Sequence, residues 1–163
     1  MNMILKDGVL DNPEQYVKEI LNNEFVEVCD GVNTFKNLQP RDHNDEFAQE
    51  VLHAVGPGYN VAWNFVRSSP LDQEEPNFIH TDDMMGDLTA ILYLSKDAPE
   101  EDGTTIYDET GKKSFVVHSA FNRMIVFDSK LPHSRNIFEN FGDGETARLI
   151  QVAFLKEDRD DRL

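Results

Sequence analysis

Apolar positions in this chain fall into two regimes: helical spacing dominates from residue 12 to residue 55, and short strand-like runs follow from residue 61 to residue 155. Asn12-Pro13-Glu14-Gln15 supplies a capping asparagine, a proline at the first helical position and a glutamine placed to complete a capping box. Tyr16, Val17, Ile20 and Leu21 then form one apolar stripe. A second helix is predicted from Asn44 to Val55, where Phe47, Val51 and Val55 recur every fourth residue and Glu46, Glu50 and His53 take the wetter side. Gly56-Pro57-Gly58 stops it. Residues 25–28 and 32–35 read as two edge strands.

Beyond Gly58, branched and aromatic residues predict strands at 61–66, 78–82, 88–95, 104–107, 114–117, 123–127 and 148–155. Turn chemistry at residues 99–103, 109–112 and 142–145 separates several of them. Two helices followed by strands at hairpin spacing predict a single α+β domain with an antiparallel sandwich or jelly-roll core over residues 61–155. Residues 156–163 have almost nothing to bury and are expected to form a frayed tail.

Charge narrows the partners. Thirty-one acidic residues against fifteen basic ones give a net charge of −16, which repels phosphate backbones and anionic headgroups and argues against nucleic acid. No run approaches the roughly 20 apolar residues of a membrane helix, and the start lacks a signal-peptide pattern, so a cytoplasmic protein is expected. With Cys29 alone there is no internal disulfide and no cysteine-only metal cluster; a metal must be held by histidine and carboxylate. Oligomeric state is not legible.

His80-Thr81-Asp82 is the first chemically informative triplet, because residues i and i+2 of an extended chain project from one face, within reach of one ion. A third ligand should come from a distant strand end, and His133, just after the strong strand 123–127, is the best placed candidate. Two imidazoles and one carboxylate leave the opposite face of an iron(II) ion open, although the same ligand types also hold catalytic zinc. Arg148 opens the last strand on the face of Ile150, Val152 and Phe154, where a guanidinium needs an anionic partner: a ligand carboxylate in bidentate geometry, or Asp128 or Glu145 of the chain itself. His118 sits beside turn-like residues and is read as structural, Met84-Met85 as filler rather than a substrate lip, and Cys29 as a small buried residue or an edge thiol.

These elements, with Leu92-Tyr93-Leu94-Ser95, Asp102-Gly103-Thr104-Thr105 and Pro132-His133-Ser134, resemble the 2-oxoglutarate and iron(II) oxygenases, in particular the prolyl-4-hydroxylase-like branch. The resemblance implies a double-stranded β-helix (jelly-roll or cupin-like) core with the N-terminal helices packed on one sheet. It implies that His80, Asp82 and His133 bind Fe(II), that Arg148 holds the distal carboxylate of 2-oxoglutarate, and that Tyr93 donates its hydroxyl to the same cosubstrate. Dioxygen is then the oxidant, succinate and carbon dioxide the coproducts, ascorbate an admissible reductant, and a peptide side chain (prolyl in the nearest branch) or a small molecule the substrate. Residues 64, 67 and 68 fall where relatives line a substrate pocket. The stretch from Ser134 to Ala147 is longer than the family's usual spacing; as a hairpin extension it returns Arg148 to the pocket, and otherwise Arg135 is the fallback anchor. The competing readings are a non-catalytic jelly-roll binding module and a cupin-like zinc or manganese enzyme that ignores 2-oxoglutarate.

Overall fold

The alternation of apolar side chains on the last strand organises the molecule. In the computed structural model, which describes residues 3–29, 31–74 and 78–159, this strand, Arg148–Glu157, lies at the centre of a seven-stranded sheet. In chain order the elements are β1 (Ile4–Asp7), α1 (Pro13–Leu21), β2 (Val26–Cys29), β3 (Thr34–Pro40), α2 (Glu46–Val55), β4 (Tyr59–Ser69), β5 (Leu88–Tyr93), β6 (Gly103–Tyr107), β7 (Lys113–His118), β8 (Arg123–Asp128), β9 (His133–Arg135) and β10 (Arg148–Glu157). The large sheet runs β1-β8-β5-β10-β4-β3-β2 and a smaller one β7-β6-β9; every strand pairing is antiparallel. This is the jelly-roll core expected from the strand spacing, with the two helices on one face of the large sheet.

Strand parity sorts the core into two layers. Leu149, Ala153 and Leu155 of β10 join Leu88, Ala90 and Leu92 of β5 and Met124 and Val126 of β8 against Tyr16, Ile20, Phe47 and Val51 of the helices. Ile150, Val152 and Phe154 point the other way, with Ile91, Tyr93, Ile125 and Phe127, toward Ile106 and Val117 of the small sheet. Arg148 shares this second parity and so opens into the space between the sheets.

Several expectations are corrected. Residues 78–82 form no strand, only an isolated bridge at His80. The short strands β1 and β9 were not legible, since four and three residues carry too little periodicity. The edge strand predicted at 32–35 runs from Thr34 to Pro40. Lys156 and Glu157, assigned to a frayed tail, are paired with Asn60 and Tyr59 in β10, and residues 160–163 lie outside the described residues. The stretch before Arg148 is not a hairpin: it is irregular with one 3-10 turn, Gly144–Thr146. Asn140 fixes it by donating to the carbonyls of Pro70 and Gln73, and Asp143 by accepting from the Leu71 amide. No helix among the described residues is long and apolar enough to cross a membrane.

A buried polar knot ties the helices to β10. Asp45 caps α2 by accepting from the Ala48 amide at 2.9 Å, and its other oxygen accepts from the Tyr16 hydroxyl at 2.9 Å, Arg41 Nε at 3.1 Å and Gln151 Nε2 at 2.9 Å. Asn64 donates to the same carboxylate, so it belongs to this knot on the helix side and not to a substrate pocket. Ser68 shares its parity, which leaves Arg67, on the parity of Phe65, as the one of the three facing the space between the sheets.

Burial alone would raise the Asp45 carboxyl, but the Ala48 amide, Gln151, Tyr16 and Arg41 together hold it below the ordinary aspartate value. A depressed folded value contributes stability that is complete above the unfolded value, about 3.9, and is lost as pH falls through the lower folded one. Replacing Asp45 by alanine should therefore cost about 3–5 kcal/mol in denaturant unfolding at neutral pH. The stability gap between the wild type and Asp45→Asn should close only below about pH 4; a gap constant down to about pH 2.5 contradicts this assignment.

Candidate metal centre

His80 and His133 are brought together by backbone before side chains matter. The two residues exchange both peptide hydrogen bonds, His80 N to His133 O at 3.0 Å and His133 N to His80 O at 2.8 Å. Such a hydrogen-bonded antiparallel pair places its side chains on one face, and the ring centroids lie 4.4 Å apart. Two residues on, the Asp82 amide donates to the Ser129 carbonyl at 2.9 Å, which returns the Asp82 carboxylate to the side of His80. The three residues expected to ligate a metal thus converge, with one donor atom from each within 4.8 Å of the others.

The ring nitrogens divide their roles. His80 Nδ1 lies 3.2 Å from the Phe78 carbonyl and His133 Nδ1 3.1 Å from the Leu131 carbonyl. A carbonyl can only accept, so both Nδ1 atoms carry hydrogen, and in the neutral tautomer that metal ligation requires both Nε2 atoms present lone pairs. Those lone pairs face the Asp82 carboxylate, His133 Nε2 at 2.9 Å from Oδ2 and His80 Nε2 at 3.7 Å from Oδ1. In that tautomer lone pair faces lone pair, and a shared cation, like a proton on each ring, relieves the contacts. Ligands at about 2.0–2.2 Å from a metal and at right angles to one another stand about 3 Å apart, so the observed donor set fits a divalent ion. The carbonyl contacts to Nδ1 fix ring orientation as outer partners of metal-bound histidines do. The Phe127 ring meets His133 edge-on at 4.9 Å and the Phe78 ring meets His80 at 5.4 Å.

The His133 side is buried, whereas His80 opens to solvent. Met84, 93% exposed, and Met85, Phe78 and Ile79, each at least 36% exposed, flank the ligands in sequence. The methionine pair is therefore exposed at the surface.

Deeper between the sheets, β6 runs from the metal side to a polar cluster. Ile106 pairs with His133 and Thr104 with Arg135, so the two ends stand two residues, about 7 Å, apart along the strands. Tyr93 Oη lies 2.6 Å from Thr104 Oγ1. Burial raises the Tyr93 hydroxyl to about 12, against the opposing influence of Thr104 and Arg148, so it stays neutral at working pH. Arg148 is 4% exposed and donates from Nε to Asp102 Oδ1 at 3.2 Å; Asp102 is 1% exposed. Its partner is thus neither Asp128 nor Glu145. Arg135 takes the same strand parity as His133 and donates from Nη1 to Asn140 at 3.0 Å. His118 is exposed at the end of β7, paired with Gly103, and is not among the three residues that converge; Cys29 is an exposed edge thiol on β2.

Asp102 entered the sequence reading within a turn and the fragment Asp102-Gly103-Thr104-Thr105, with no role of its own. The one available signal was its neighbour: Gly103 has φ +146°, and a Cβ there would run into the Val117 carbonyl. Glycine lets the chain squeeze between β7 and Asn136, and that passage carries Asp102 to Arg148.

No protein-family model matches the sequence, and no curated protein matches it. Solved structures do match in shape. A 2OG-Fe(II) oxygenase family oxidoreductase from Burkholderia pseudomallei superposes with a TM-score of 0.62 at 13% identity, over 94% of this chain and 84% of that one. This chain shares the fold of that structure. The non-heme alpha ketoglutarate dependent epimerase SnoN from nogalamycin biosynthesis gives 0.66 at 16% identity, over 95% of this chain and 77% of that one. A Pseudomonas putida prolyl-4-hydroxylase gives 0.63 at 16% identity, over 97% and 93%. SnoN has also been solved with Fe3+, alpha ketoglutarate and nogalamycin RO. In this shared fold Arg148 and His133 face the space between the two sheets, with His80 and Asp82 at its edge.

One Mn(II) or Co(II) ion per chain should bind in calorimetry. His80→Ala and His133→Ala should each weaken it by more than the about 10- to 100-fold typical of outer-shell losses, while His118→Ala should leave it unchanged. Equal binding by all four proteins removes the triad from consideration.

Proposed function

We propose that the protein is an Fe(II)- and 2-oxoglutarate-dependent dioxygenase that hydroxylates a peptide side chain or a small molecule. The observation that carries this reading is the paired Nδ1-protonated imidazoles whose Nε2 atoms face one carboxylate, in the same inter-sheet space as a buried arginine. Iron(II) held by His80, Asp82 and His133 would supply the redox chemistry by which dioxygen decarboxylates 2-oxoglutarate to succinate and carbon dioxide while a substrate C–H becomes C–OH.

The chain's own residues do the rest. The carbonyls of Phe78 and Leu131 keep both imidazoles in the ligating tautomer. Among the described residues Arg148 hydrogen-bonds through Nε alone, so its two terminal nitrogens are disposed to take the distal carboxylate of 2-oxoglutarate as a fork. Tyr93 and Thr104 would line that end, and Ile150, Val152 and Ile106 would keep water from the chain between the carboxylates. The exposed apolar side chains of Phe78, Ile79, Met84 and Met85, close in sequence to His80 and Asp82, suit a substrate that presents apolar surface. Prolyl hydroxylation and a cytoplasmic setting belong to the same proposal. A zinc or manganese enzyme that ignores 2-oxoglutarate is the second reading, favoured by the bond Arg148 already makes to Asp102.

Anaerobic addition of Fe(II) and 2-oxoglutarate should produce a visible charge-transfer band, and oxygen should then release succinate. His80→Ala and His133→Ala should lose both signals. Arg148→Gln should raise KM for 2-oxoglutarate at least about tenfold. Succinate formed equally by the histidine variants, or turnover that prefers zinc without 2-oxoglutarate, defeats the proposal.

A further inference from the structure

The buried Arg148–Asp102 pair is an unusual way to build an anion anchor. An arginine meant to hold a carboxylate in low dielectric binds best when its charge is unspent, yet Asp102 stands at 3.2 Å from Nε with both side chains almost wholly buried. Asp102 is also held in place: its amide donates to the Pro99 carbonyl at 3.0 Å, its carbonyl accepts from the Ser119 amide at 2.7 Å, and the next residue is the obligate glycine. The carboxylate is thus a fixed part of the cluster that includes Tyr93 and Thr104.

Resting on the reading of Arg148 as the anchor, we propose that Asp102 is a positioning residue that sets how strongly the pocket prefers a dicarboxylate cosubstrate. Its hydrogen bond turns the guanidinium so that the terminal nitrogens face the inter-sheet space. Its charge offsets that of Arg148, so an arriving distal carboxylate meets a nearly neutral pair in place of a bare cation. Orientation is gained and electrostatic grip is given up. Asparagine separates the two effects, because its amide oxygen can still accept from Nε without the negative charge.

The test uses the full-length protein loaded with Mn(II), with calorimetric Kd values for 2-oxoglutarate and for 2-oxopentanoate, which has the same chain length but no second carboxylate. In Asp102→Asn the Kd for 2-oxoglutarate should fall about tenfold, while that for 2-oxopentanoate moves less than about twofold. Preference for the dicarboxylate, the ratio of the two, rises accordingly; a merely structural role would move both ligands together. Unchanged or parallel shifts in Asp102→Asn, alongside lost 2-oxoglutarate binding in Arg148→Gln, overturn this inference and leave the anchor standing. Intact 2-oxoglutarate binding in Arg148→Gln overturns both. If Asp102→Asn does not yield folded protein by circular dichroism, Asp102→Ser removes the charge together with the orienting bond, and a ratio that does not rise there overturns the inference.

Discussion

Two backbone hydrogen bonds between His80 and His133 are the constraint on which the site depends. They join a segment with no strand of its own to the first residue of the short strand β9, and so fix two imidazoles on one face before any metal is considered. Everything else at the centre refines that placement. The Ser129 carbonyl sets the height of Asp82, and two carbonyls set the ring tautomers. The interdigitated aromatics Phe127 and Phe78 limit ring rotation.

The same sheet geometry links the triad to the deeper polar cluster. Because β6 and β9 run antiparallel, two residues of strand separate His133 from the Thr104–Arg135 pair, and the parity of β10 turns Arg148 inward beside them. The opposite parity of β10 carries Gln151 to Asp45 and the helices. One strand therefore couples the knot that holds the helices in place, through Gln151 on one face, to the buried Arg148–Asp102 pair on the other.

Much of this was legible from residues alone. Asn12-Pro13 and the fourfold spacing of Phe47, Val51 and Val55 marked helices that form where expected, because caps and stripes are local signals. The alternation in β10 put Arg148 on the face of Ile150, Val152 and Phe154, because parity survives small errors in strand ends. Four-residue β1 and three-residue β9 were hidden, since pairing with β8 and β6 defines them and no periodicity of their own does. The role of Asp102 was hidden for the same reason at longer range: it is 46 positions from Arg148 in sequence, and the passage through Gly103 brings it there.

The most direct examination of the metal centre is anomalous scattering from a crystal grown with stoichiometric Mn(II). One ion bonded by His80 Nε2, His133 Nε2 and an Asp82 oxygen, at about 2.0–2.2 Å, with both Nδ1 atoms still against their carbonyls, is the expected result. An ion bound elsewhere, or held through either Nδ1, contradicts it.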